Sequence, residues 1–218
     1  MLADQGSEVI RRFGILNTNV PSDVRFYGIP FPGQYLLAAD GTVKSKLFLP
    51  DYQERPTATA VLLKEYSTAI GNPVMVDAGE VRARIALSDT RAFSGQQLGV
   101  AVDFDIAPGW HVYGKPLPEE YTPTTVIFDS DLVSGQNFDY PKPTPVKFEM
   151  LGETLPVYQG RFKAIGDILL RQKLEPGEHR LGGTLSFQEC NDNLCKMPQQ
   201  VRFEIPFRID ALVPATPH

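Results

Sequence analysis

Cysteine is nearly absent from this chain: its 218 residues contain two, Cys190 and Cys195. Two thiols cannot fill a four-ligand zinc site unaided. Tryptophan occurs once, at Trp110. No basic run exceeds Arg11-Arg12, and the formal net charge is −5. Such a chain is poorly suited to nucleic acid, whose phosphates are neutralised by clustered Lys and Arg. No apolar stretch approaches the roughly 18–20 residues of a membrane span. The first residues, Met1-Leu2-Ala3-Asp4-Gln5-Gly6, lack a basic region and an apolar region, so they do not read as a signal peptide.

What is present fits a folded protein. Apolar residues make up 42% of the chain, enough for a normal core. The 19 Pro and 18 Gly are well spread, which points to many turns and short strands. The length allows one large domain or two small ones.

The first 72 residues read as α/β. Residues 5–14 predict a short helix, with Ser7 as N-cap, Val9, Ile10 and Phe13 on one face and Gly14 as the stop. Asp40-Gly41 lies between Tyr35–Ala39 and Thr42–Phe48, a two-residue hairpin signal of type I′. Residues 57–69 predict a second helix, ended by Gly71-Asn72-Pro73. Residues 73–79 read as a linker. From residue 80 to 209 the helical period is gone. Val81–Leu87 and Leu98–Ile106 alternate with period two, and the second stops at Pro108-Gly109. Thr124–Phe128, Phe162–Leu170, Gly183–Gln188 and Val201–Ile209 read as further strands, the pattern of a sandwich. Residues 141–146 read as extended linker or edge, and 210–218 as a tail.

The chemistry sits with the cysteines. Asn191-Asp192-Asn193-Leu194 between them are mostly turn formers, which can bring two thiols together at a hairpin tip. Glu189 and Asp192 are acidic and only Lys196 is an adjacent cation, so no strongly activated thiolate is expected. Three readings stand: a redox-active pair; a static disulfide, worth only about 2 kcal/mol for so short a loop; or a thin metal site with His111 as third ligand. Trp110 and Phe187 read as core.

The second part resembles the N-terminal domain family of the DsbD thiol:disulfide interchange protein. The resemblance rests on Ile106-Ala107-Pro108-Gly109-Trp110-His111-Val112-Tyr113, Tyr121-Thr122-Pro123-Thr124-Thr125, Tyr158-Gln159-Gly160 and Ser186–Pro198 around the cysteines. It implies an immunoglobulin-like β-sandwich in the periplasm. It implies that Cys190 and Cys195 cycle between dithiol and disulfide, exchanging with thioredoxin-like partners as a protein-disulfide reductase would. Cytochrome c biogenesis is one setting for such electron transfer. No cofactor or metal is implied. By the same resemblance His111 and Tyr113 lie beside the pair, and Val157 or Tyr158 serves as its cap.

The first part resembles the C-terminal half of a redoxin, a thioredoxin-like fold. The resemblance rests on the helix from Glu8 to Phe13, Phe31-Pro32-Gly33-Gln34-Tyr35-Leu36, the Asp40-Gly41 hairpin and the closing helix. Pro32 falls where that family keeps a cis-proline. The family's nucleophilic Cys lies upstream of where this chain starts, so the half-domain is expected to do no thiol chemistry. The expectation is a chain truncated at its N-terminus, from a longer secreted protein.

Overall fold

The computed structural model describes residues 4–48, 55–66, 73–148 and 152–211. The chain divides into two compact units, Met1–Arg55 and Pro56–His218.

In the first unit a 3-10 turn (Gln5–Ser7) leads into helix α1 (Glu8–Arg12). Ser7 does not cap it. Its backbone is left-handed (φ 58°, ψ 35°), and its hydroxyl donates to Gly28 O at 2.7 Å. Asp4 serves instead, accepting the N–H groups of Ile10 and Val9 at 3.0 Å. Those bonds hold its carboxyl below the usual range. Strands β1 (Gly33–Leu37) and β2 (Val43–Phe48) form the expected hairpin. Its turn is not type I′, because Gly41 has a positive φ (84°) and Asp40 does not. Gly41 N–H donates to Ala38 O, and Ala38 N–H to Thr42 O. A three-residue loop with a left-handed Gly at its end is the next commonest hairpin solution. Among the described residues the cis peptide bond is Lys115–Pro116, so Phe31–Pro32 is trans.

The second unit is mainly β, an immunoglobulin-like sandwich. Its elements are β3 (Arg55–Pro56), α2 (Ala58–Tyr66), β4 (Val74–Ala78), β5 (Val81–Leu87), β6 (Arg91–Ala92), β7 (Gln96–Ile106), β8 (His111–Tyr113), β9 (Thr125–Ile127), β10 (Val133–Asp139), β11 (Thr144–Phe148), β12 (Glu153–Tyr158), β13 (Arg161–Leu170), β14 (Gly177–Phe187), β15 (Glu189–Cys190) and β16 (Gln199–Ile209). One sheet runs β10-β13-β7-β5-β4, a second β6-β16-β14-β9. Alternation decides which face of each strand is inside. On β16, Phe203, Ile205, Phe207 and Ile209 are buried while Arg202, Glu204 and Arg208 point to water. Ile85, Val100, Val102, Phe104 and Ile168 of the first sheet share one core with Leu181, Leu185 and Phe187 of the second. Each such large side chain contributes about 1.5–3 kcal/mol.

Two boundaries differ from expectation. Residues 74–78, expected in a linker, form β4, paired with β5 from Val74↔Ile85 to Ala78↔Val81. Helix α2, expected with the N-terminal domain, packs on β7 in the second unit. Gly99 on β7 permits this approach: a Cβ there would lie 3.1 Å from Ala60 Cα. Thr57 caps α2 by accepting the Ala60 N–H, and its own hydroxyl donates to Asp89. The expected helix end at residues 67–72 lies outside the described residues. So does 212–218 of the expected tail; before it, Asp210 accepts two 2.7 Å hydrogen bonds from Arg91. Among the described residues no helix is long and apolar enough to cross a membrane.

A third sheet, β11-β12-β8-β15, forms a separate small layer. Residues 144–146 of the expected edge belong to its outer strand, β11. It encloses a second, smaller core of Tyr113, Leu155, Val157 and Cys190. This layer carries the cysteines.

Candidate functional site at the cysteine loop

Cys190 ends β15, where it pairs with His111 on β8. The chain then reverses within four residues. Asn191 makes the turn, its side-chain oxygen accepting the N–H groups of Asn193 (2.9 Å) and Leu194 (2.8 Å). Its own N–H donates to Leu194 O. The loop closes with the Cys190–Cys195 disulfide, Cα–Cα 4.1 Å. The two cysteines are not equivalent. Cys190 is 1% exposed and belongs to the small core, whereas Cys195 is exposed.

Period-two alternation places His111 and Tyr113 on one face of β8. Cross-strand pairing puts His111 beside Cys190 on that face. Tyr113 is buried and its hydroxyl donates to Cys190 Sγ at 3.2 Å, with Cys195 Sγ at 3.6 Å. Burial, with Tyr121 and Glu153 nearby, pushes its pKa up to about 12. Tyr113 therefore remains a donor at any physiological pH. His111 is 3% exposed, and burial lowers its pKa against a smaller opposing pull from Asp192. Its Nε2 is buried without a hydrogen-bond partner. An unmade buried bond of this kind costs about 1–3 kcal/mol. The Phe148 ring centroid lies 5.0 Å from that of the imidazole, and the Tyr113 ring 5.5 Å from it.

The loop's base is braced from the opposite face. Neighbours on a strand point to opposite sides, so the Glu189 side chain turns away from the sulfurs. It is fully buried and accepts from Glu80 N–H (2.7 Å), Gln199 Nε2 (3.0 Å) and Lys196 Nζ (2.8 Å). Gly79 leaves room for it; a Cβ there would collide with the carboxylate. Lys196 also reaches Glu80 and lies 4.4 Å above the Trp110 ring. Lys196 N–H donates to Glu189 O, and Gln188 Nε2 to Lys196 O. Glu189 is thus not a bare negative charge against the thiols, as its position in the sequence suggested. Trp110 packs against the main core and Phe187 lies within it.

The expected cap residues are placed differently. Val157 and Tyr158 belong to β12 and pair with Tyr113 and Val112. Val157 is buried beneath the pair in the small core. Tyr158 faces the main core, stacked 4.3 Å from Phe162, with its hydroxyl donated to Pro141 O. The residues that border the sulfurs on this side are Lys147 and Phe148. With His111, Tyr113 and residues 190–195 they line a cavity of about 460 Å³. Sequence reasoning missed Phe148. The available signal was a phenylalanine at the end of the Pro-rich extended segment.

A larger concavity, about 600 Å³, lies over the outer face of the first sheet. Its charges are paired across strands: Arg84–Asp103 at 3.2 Å, Lys163–Asp103 at 3.1 Å and Arg161–Asp105 at 3.1 Å. It is a solvated ladder of ion pairs and holds no reactive group. Among the described residues no cluster of three or more His, Cys, Asp or Glu can hold a metal ion.

The model of one family, the N-terminal domain of the thiol:disulfide interchange protein DsbD, matches residues 83–206. No curated protein matches the chain. Among solved structures the chain is similar to the N-terminal periplasmic domain of ScsB from Proteus mirabilis. That pair is 17% identical with a TM-score of 0.45, covering 65% of this chain and 51% of that one. It is also similar to the DsbD N-terminal domain of Neisseria meningitidis in its reduced form, at 22% identity and TM-score 0.33, covering 54% and 80%. The chain thus spans about half the length of the ScsB chain it matches. With most of its β unit inside the family match, and both cysteines within it, the chain belongs to the DsbD N-terminal domain family.

Proposed function

We propose that the second unit is a thiol:disulfide exchange module, passing reducing equivalents between thioredoxin-like partners through Cys190 and Cys195. One observation carries this reading: a disulfide at a loop tip between an exposed cysteine, Cys195, and a buried one, Cys190, whose sulfur accepts a tyrosine hydroxyl. Exchange needs in-line attack by a thiolate on a reachable sulfur. Cys195 is the reachable one. A partner thiolate attacks Cys195 Sγ, a new S–S bond forms to the partner, and the Cys190–Cys195 bond breaks. Cys190 leaves as the thiolate, and the Tyr113 hydroxyl stabilises that charge where it appears.

The setting follows from the same reading: an oxidising compartment, the periplasm, where such pairs persist. The first unit is proposed as the C-terminal part of a redoxin-like domain. Its helix α1 and the β1–β2 hairpin support that reading, and the trans Phe31–Pro32 bond weighs against it.

The test is the reduction potential of the pair, measured by equilibration in glutathione or dithiothreitol buffers and alkylation of free thiols. A value between roughly −180 and −270 mV, the range of exchange catalysts, supports the module. A pair that stays oxidised below about −300 mV is a structural disulfide, and the domain is then a binding adaptor.

A further inference from the structure

The exchange reading leaves one group at the site without a task. His111 is buried, lines the cavity with both cysteines, stands across the ladder from Cys190, and keeps Nε2 unpaired. Native structures rarely leave a buried polar atom unpaired without a reason. In the disulfide form neither sulfur carries a proton, so His111 has nothing to accept. Reduction creates a new donor, the Cys190 S–H, on the residue paired with it.

Resting on the exchange reading, we propose that His111 Nε2 accepts the Cys190 proton when the buried thiol resolves a mixed disulfide, and returns it in the reverse direction. In the reducing direction, Cys195 thiolate attacks a partner disulfide, forming the mixed disulfide and releasing one partner thiolate. Cys190 S–H then gives its proton to Nε2. The sulfur's electron pair attacks Cys195 Sγ, forming the intramolecular disulfide and expelling the second partner thiolate. The imidazolium passes its proton to that thiolate or to water. The chain loses two electrons and the partner disulfide gains them.

The other groups facing the imidazole do not fit this role. Tyr113, on the same strand, is held protonated and already donates to Cys190. Glu189 is turned to the other face with three donors. Asp192 is exposed on the loop, and Lys147 from β11 is cationic. Glu153 accepts the Tyr121 hydroxyl. Burial keeps His111 neutral near pH 7, the state in which it can accept.

The reduced full chain is mixed with the aromatic disulfide DTNB, which releases one coloured thiolate when Cys195 attacks and a second when Cys190 resolves. In the wild type the second step varies little with pH between 7 and 8. In His111→Gln, which can hydrogen-bond but cannot take a proton, it is slower by roughly 10-fold or more at pH 7. That rate then climbs with pH, as the Cys190 thiol ionises unaided, and the gap between the two proteins narrows. The first step stays within about twofold and reports that the site is folded. An equal slowing at every pH, or no slowing, overturns the assignment. If the variant does not fold, ¹⁵N NMR of wild-type His111 decides: Nε2 shifts on reduction if it gains the S–H donor, and an unchanged signal overturns the proposal. Failure of the first step, or a pair that cannot be reduced, overturns the exchange reading itself. A normal first step with a second step indifferent to His111 overturns only the role of His111.

Discussion

At the scale of single residues, burial of titratable groups makes stability depend on pH at both ends. His111 has a folded pKa below its ordinary 6.5, so the unfolded chain binds its proton first. Its contribution is present above pH 6.5 and is lost as pH falls through the folded pKa. His111→Phe is expected to flatten the acid limb of urea midpoints measured from pH 7 to 5. Tyr113 has the opposite sense. Its folded pKa of about 12 lies above the unfolded value near 10. The neutral phenol's stabilisation is full below pH 10 and lost as pH rises towards 12. Tyr113→Phe is expected to shift the midpoint least at the highest pH reached. Glu189→Ala removes the acceptor of three donors and leaves the Glu80 N–H without it, at a cost on the order of 1–3 kcal/mol. Chemical denaturation with the disulfide intact measures this. That brace was illegible in the sequence, where Glu189 read as a charge that raises a thiol pKa. Only the pairing of β15 with β8 reveals that its carboxylate faces away.

At the scale of elements, strand alternation carried most of the reading. β5 and β7 appear where period-two patterning placed them, and β13 and β16 where the sequence read further strands, because each has one face in the shared core. The β14 strand begins earlier than expected, at Gly177 rather than Gly183. Its early residues are polar and glycine-rich, and their pairing with β16 holds them extended. Gly183 sits where a side chain cannot: a Cβ would clash with the Phe203 ring and lie 2.8 Å from Ile127 O. Gly183→Ala is expected to cost about 1–3 kcal/mol by overpacking, read as a lowered denaturation midpoint. The cap was misplaced for a related reason. Val157 and Tyr158 have the apolar, aromatic character of a cover, but ladder pairing with β8 turns both into core. Phe148, one strand away, is brought to the imidazole by the register Phe148↔Glu153.

At the scale of the whole molecule, the β unit has its own core and caps its own helix, so residues 56–211 are expected to fold alone. That fragment should melt cooperatively and keep the reduction potential of the full chain. A fragment of residues 1–55 has a two-stranded sheet with open edges, and such hairpins are marginal in isolation. It should show no cooperative transition by circular dichroism; a sharp melt would show that it folds alone and sink this expectation. By itself the sequence determined the β class of the second unit, most of its strands and the pair Cys190 and Cys195, because alternation and turn chemistry are local and a five-residue separation makes one loop. Tertiary structure alone decided that α2 lies on β7, that 74–78 is a strand, which sulfur is exposed, and that His111 is buried with an unfilled nitrogen. Those outcomes depend on which faces meet across strands far apart in the chain, and no local pattern encodes that.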